Sequence, residues 1–122
     1  MRKTSAQLVA EAKSQITEID AIKARDAIVI GALVIDVREP HEYAEGHIAG
    51  AINIPRGTLE FSLDKHEALA DLTKPVIVYC KAGGRGAMAA HTLQHHFGYQ
   101  NVTSLEGGLD AWIQKGHKIH KP

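Results

Sequence analysis

Four short runs of 122 residues constrain the fold more than anything else in the chain. They are Ala32-Leu33-Val34-Ile35, Ala51-Ile52-Asn53-Ile54, Val76-Ile77-Val78-Tyr79 and Val102-Thr103-Ser104-Leu105. The first and third are apolar throughout, as expected for strands covered on both faces. Stretches with helical spacing separate them: Asp20 to Ala27, Pro40 to Ala44, Arg85 to Phe97 and Leu109 to Lys115. Pro40 suits a first helical turn, and Gly46, Gly98 and Gly116 suit helix stops. Strands alternating with helices predict an α/β domain with a mostly parallel sheet between two helical layers.

The length suits one compact domain. Hydrophobic residues make up 44% and charged residues 23%, ordinary for a globular protein. Formal net charge is zero, so no broad basic field recruits nucleic acid or anionic lipid. An anion site must therefore be local. One cysteine excludes an internal disulfide and suits a reducing compartment. Met1-Arg2-Lys3 is basic, but no apolar segment follows, so no signal peptide or membrane span is expected. The expected location is cytoplasmic.

The leader from Thr4 to Gln15 has apolar residues at helical spacing, Leu8, Val9, Ala12 and Ile16, and Thr4 with Gln7 forms a capping-box pattern. It is expected to pack on the domain as a helical extension over residues 1–15, ahead of one domain over 16–122. Arg56 to Lys74 is mixed and polar, with a helical turn or two around His66 to Leu72.

Cys80 follows directly on the third apolar run. Lys81-Ala82-Gly83-Gly84 makes a turn, and Arg85 opens the next helix. In a parallel sheet, ligands bind outside the carboxyl ends of the strands, where Cys80 would lie. The attacking species of a cysteine is the thiolate. Inward-facing amides from Lys81 to Arg85, the positive end of the following helix and the charges of Lys81 and Arg85 all favour that anion. Gly83 and Gly84 supply the backbone freedom of a tight cradle. The alternative is a buried cysteine acting as a small hydrophobe.

Cys80-Lys81-Ala82-Gly83-Gly84-Arg85 resembles the active-site loop of the rhodanese family of sulfurtransferases, C-x-x-G-x-R. The segment from Asp36 to Pro55, Asp-Val-Arg-Glu-Pro-His-Glu-Tyr-Ala-Glu-Gly-His-Ile-Ala-Gly-Ala-Ile-Asn-Ile-Pro, resembles the upstream signature of that family. Glu106-Gly107-Gly108-Leu109-Asp110-Ala111-Trp112 resembles its C-terminal signature. The resemblance spans Ile16 to Ile113. It implies a central, mostly parallel five-stranded sheet flanked by helices on both faces. It also implies a thiosulfate-type sulfurtransferase with Cys80 as nucleophile and Lys81, Ala82, Gly83, Gly84 and Arg85 holding the substrate or the persulfide. Expected partners are a small sulfur-containing anion and a cyanide or thiol acceptor such as thioredoxin. No cofactor or metal is implied. The alternative from a different class is a persulfide carrier or partner-binding module with little turnover. Phosphatase or arsenate-reductase chemistry ranks lower, because related enzymes of those kinds have one more residue between cysteine and arginine.

The chain departs from many relatives in having Gly86 where they carry serine after the arginine; a serine there is expected to favour the thiolate. Arg38 and Gly86 are secondary site candidates. Asp36 is expected to fix loops by pairing with Arg38. Arg85 is expected to bond loop carbonyls while projecting positive potential. Lys81 is either an anion ligand or a solvated loop-tip lysine. His47 is expected to be structural. His91 and His95 have a spacing that can bind metal, without a third ligand in view. Leu109, Trp112 and Ile113 are expected to face the core. Gly107 and Gly108 either allow close backbone approach near the pocket or merely start the last helix.

Overall fold

The computed structural model describes all 122 residues. In chain order it contains α1 (Ser5–Lys13), β1 (Thr17–Ile19), α2 (Ala21–Val29), β2 (Leu33–Asp36), α3 (Pro40–Glu45) and β3 (Ile52–Asn53). Then come α4 (Leu59–Ser62), β4 (Val76–Tyr79), α5 (Gly84–His96), β5 (Val102–Leu105) and α6 (Gly108–Gln114). Three short 3₁₀ turns, Arg56–Thr58, Leu63–Lys65 and Glu67–Leu69, join α4 in the polar segment between β3 and β4.

The five strands form one sheet in the order β1-β5-β4-β2-β3, and every pairing is parallel. The sequence expectation of a two-sided α/β sheet therefore holds. β1 is the strand that hydrophobic pattern misses. Thr17-Glu18-Ile19 contains a charge, lies at the edge and is only partly buried, so it shows no apolar run. It reads as a strand only through its pairing, Thr17 opposite Thr103 and Ile19 opposite Leu105.

Side chains alternate across the sheet, as strand geometry requires. Val76, Val78 and Cys80 fall in one core cluster with Ala89, Ala90 and Leu93 of α5. Ile77 and Tyr79 fall in the other, with Ala21 and Ala24 of α2 and Leu109 and Trp112 of α6. This period of two aims Cys80 at the α5 side. One expected core residue does not reach the interior: Ile113 is exposed. It lies beside Trp112 on α6 but turns to solvent, because Leu109 and Trp112 already fill the contact with the sheet.

The leader helix α1 carries the capping box of Thr4 and Gln7, with Gln7 N–H donating to the Thr4 hydroxyl at 3.1 Å. It lies against α5 and buries Ala12. No helix is long and apolar enough to cross a membrane.

Candidate active site

β2 and β4 pair side by side, and the chain leaves them in opposite directions, to β3 and to β5. That makes their carboxyl ends the switch point of the sheet. Cys80 is the first residue after β4, at that point.

The loop is built by taking its carbonyls out of play. Leu109 N–H donates to Cys80 O at 2.8 Å and Asp110 N–H to Lys81 O at 3.0 Å. The N-terminal amides of α6, which have no partner within their own helix, thus bind the outer face of the cysteine loop. Such an approach requires glycine at residue 108. A Cβ there would lie 2.5 Å from Lys81 O and 2.6 Å from Cys80 O, and the backbone has φ +61°. Gly108 therefore both starts the helix and brings it against the loop.

With these two carbonyls bound by α6, one amide of the loop reaches the sulfur. Gly83 N–H donates to Cys80 Sγ at 3.1 Å. The N–H groups of Lys81 and Ala82 have no acceptor in the protein. Gly83 is the N-cap of α5 with φ +118°, in the left-handed region that favours glycine. The first turn of the thirteen-residue helix α5 follows at once, so its unpaired amides and positive end lie beside the sulfur. Cys80 itself is only 2% exposed. Its neighbours Lys81 and Ala82 are exposed, so the loop surfaces immediately above it.

Arg85 does not bond loop carbonyls, contrary to the sequence expectation. Its guanidinium forms a two-point ion pair with Glu42 of α3, at 2.7 and 3.1 Å. Two of the loop carbonyls, Cys80 O and Lys81 O, are bound by α6 instead. Bonding to Glu42 raises the Arg85 pKa first and foremost; Coulomb attraction from Glu42 and then Cys80 adds to it, against burial. Glu42 is correspondingly held down, to about 2, mainly by the Arg85 hydrogen bond. Glu42 is the residue that pattern reading missed. Its signal was its place in the Asp36-to-Pro55 signature, which gives no hint of a contact with a residue 43 positions away.

Arg38, the secondary candidate, is 5% exposed. Its Nε and Nη2 grip Asp36, at 2.7 Å for the shortest bond, and Nη2 also donates to Gly46 O at 2.7 Å. The pair fixes the turn after α3, which is the loop-fixing role expected of Asp36. The buried pair also borders Tyr79, whose phenol is pushed far above its usual range by burial and then by Asp36.

Lys81 extends outward and donates to both carboxylate oxygens of Asp110 at 3.2 Å. Gly86 packs under the loop, where an added Cβ would sit 3.3 Å from Cys80 N and from Tyr79 Cα. His47 is buried, stacks on Tyr43 and bonds Tyr43 O through Nδ1 at 2.9 Å. His91 and His95 stack on each other and turn their Nε2 atoms to Gln15, away from Cys80's loop. No group of three His, Cys, Asp or Glu side chains is placed to hold a metal ion.

Comparison with known proteins agrees with this architecture. A thiosulfate sulfurtransferase GlpE of Stutzerimonas stutzeri is 39% identical over 82 residues, covering 67% of this chain and 71% of that protein. Thiosulfate sulfurtransferase 16, chloroplastic, of Arabidopsis thaliana is 32% identical over 116 residues, covering 88% and 96%. Among solved structures, a protein of unknown function from Rhodopseudomonas palustris, described as a possible tyrosine phosphatase, superposes with TM-score 0.83. It is 30% identical, with 98% of this chain and 96% of that one covered. The family model for the rhodanese-like domain matches residues 15–115, most of the chain, and on that match the protein belongs to the rhodanese-like domain family.

Proposed function

We propose that this protein is a sulfurtransferase that moves a sulfane sulfur from thiosulfate or a similar donor to cyanide or a thiol, through a persulfide on Cys80. In the first step the Cys80 thiolate attacks the outer sulfur of thiosulfate. A new S–S bond forms, the old one breaks, and sulfite departs with its electron pair. The terminal persulfide sulfur carries the negative charge. In the second step a cyanide or thiolate acceptor attacks that terminal sulfur. Thiocyanate or an acceptor persulfide leaves, and the Cys80 thiolate returns. This is covalent catalysis in two displacements.

The observation that carries the proposal is the division of labour in the loop. Carbonyls are bound by α6, while Gly83 N–H reaches the sulfur and the Lys81 and Ala82 amides lack acceptors. A cradle of amides stabilises charge on sulfur both before and after transfer. Arg85 adds a fixed positive charge held in place by Glu42. A thiol or a small redox protein such as thioredoxin suits the acceptor role, since the loop surfaces at Lys81 and Ala82.

Four residues separate Cys80 from Arg85. That is one fewer than in related phosphatases and favours sulfur over phosphate. The test is mass spectrometry of the intact protein after incubation with thiosulfate. One added sulfur atom is expected on the wild type and none on Cys80→Ser. No sulfur adduct, together with phosphate release from an aryl phosphate, would reverse the assignment.

A further inference from the structure

The positive groups around Cys80 are not equally engaged. Arg85 is held by Glu42 at 2.7 and 3.1 Å, and Lys81 by both oxygens of Asp110 at 3.2 Å. A third cation reaches the loop from outside the three sequence signatures. Lys13, the last residue of α1, has its Nζ 3.9 Å from the point where a Cβ on Gly83 would lie. Gly83 is the residue whose N–H donates to Cys80 Sγ. The placement is anchored one turn earlier: Val9 of α1 lies 3.4 Å from the Cβ position of Gly84. Gly107 N lies on the same side, 3.6 Å from that Cβ position, so the ammonium and the residue before α6 flank Gly83 together.

The nearest carboxylate to Lys13 belongs to Glu18, at 3.9 Å, beyond hydrogen-bond reach. That Glu18 oxygen is buried and has no hydrogen-bond partner. Lys13 and Glu18 form a long ion pair, and no hydrogen bond engages the Lys13 ammonium beside the loop.

We propose that Lys13 is a substrate-binding residue that receives the oxyanion end of the donor, a sulfonate-type group such as that of thiosulfate, while the loop amides receive its outer sulfur. The assignment deepens the sulfurtransferase reading and rests on it. It makes the leader helix part of the substrate site, with Lys13 ahead of Lys81 as the donor's cation. Lys81 is held by both oxygens of Asp110, whereas Lys13 has no hydrogen-bond partner and lies by Gly83, whose N–H bonds the sulfur.

Two measurements test it. In steady-state assays with thiosulfate, Lys13→Gln is expected to raise KM about five- to tenfold with kcat near wild type, and Lys13→Arg to recover most of that loss. The second readout needs no sulfur transfer. Cys80 is the only cysteine, so its alkylation by iodoacetamide is site-specific, and sulfate, which has no sulfane sulfur to give, should protect it. Lys13→Gln is expected to need about fivefold more sulfate for the same protection. If wild-type protein takes sulfur from thiosulfate but both readouts are unchanged in Lys13→Gln, this inference is overturned. A fall in kcat alone, or an arginine variant no better than glutamine, overturns it too. If wild type takes no sulfur yet sulfate protection depends on Lys13, the transfer reading fails and the anion site stands. If neither holds, both fail.

Discussion

The loops after β2 and β4 leave adjacent strands at the same edge of the sheet, and each is followed by an arginine. They use it in opposite ways. After β2, Arg38 folds back on Asp36 within two residues, and its side chain is 6% exposed. Its own backbone N–H also goes to Asp36, at 2.9 Å. Val37 N–H goes to Tyr79 O, and Asn53 donates to Arg38 O, so the result is a rigid post. After β4, the Cys80 and Lys81 carbonyls are bound by α6 and the arginine by Glu42 of α3, so two separate helices hold the loop. The amides of Lys81 and Ala82 remain without an acceptor. The loop after β2 pairs its backbone groups, whereas the loop after β4 leaves amides free for the anion of the proposed reaction.

The sharpest way to break the comparison is to disarm the structural loop. Asp36→Ala leaves a buried guanidinium with only Gly46 O as acceptor, and removal of one partner of a buried pair costs about 3–5 kcal/mol. Urea unfolding should show that loss. A cost under about 1 kcal/mol would mean the Arg38 charge finds water, and the post would not be a post.

Next in size is Gly108→Ala, aimed at the device that frees the amides. Its Cβ would enter the space of the Cys80 and Lys81 carbonyls, so α6 must withdraw. The expected cost is about 1–3 kcal/mol, with a fall of at least tenfold in the rate of sulfur loading. Gly116→Ala is the control. It shares a left-handed backbone, φ +79°, but a Cβ there meets nothing within 4 Å. It should cost about 1 kcal/mol of strain and leave loading alone. Equal loading rates in the two variants would refute the claim that α6 orients the cradle.

Glu42→Gln is a milder change and carries a pH signature. The carboxyl is depressed from 4.5 to about 2 in the folded protein, chiefly by the Arg85 hydrogen bond. A depressed acid contributes stability above its unfolded pKa and loses it as pH falls through the folded one. The stability gap between wild type and Glu42→Gln should therefore be constant above pH 4.5 and close between 4.5 and about 2. Both partners are partly exposed, so solvent screens the effect and the gap should be small. A gap that persists unchanged to the acid end would show that the contact acts by shape, not charge.

These variants also mark what sequence could and could not disclose. The strands of the sheet centre were legible because burial on both faces writes an unbroken apolar run, as in Val76 to Tyr79. β1 was not, because an edge strand with Glu18 in it needs no such run. Cys80 and its glycines were legible because the loop is contiguous in sequence. The Glu42–Arg85 pair and the Lys13 approach were not, since each joins residues brought together only by the packing of α3 and α1 around the loop. The bonding of Arg38 was hidden for a related reason. Position at a strand end says which edge a residue occupies, while the direction of its side chain is decided by Asp36 two residues away.

The smallest expected effect concerns Gly86, where the resemblance to the family leads to an expectation of serine. A Cβ at residue 86 would lie 3.3 Å from Cys80 N and Tyr79 Cα and 3.4 Å from Ser104 Oγ. The first two are backbone and give way by only a few tenths of an ångström. The third is a buried hydroxyl with no hydrogen-bond partner, so a serine at 86 would offer it one. Crowding and the new bond oppose each other, and Gly86→Ser should change stability by less than about 1 kcal/mol. Gly86→Ala receives the crowding without the bond and should be the less stable of the two. A second hydroxyl near the sulfur should also raise the neutral-pH alkylation rate of Cys80 in the serine variant by about twofold, through a larger thiolate fraction. If serine and alanine variants melt together and alkylate alike, the hydroxyl reaches neither Ser104 nor the thiolate. The glycine would then be fixed by space alone, beneath a loop whose amides and flanking cations suffice.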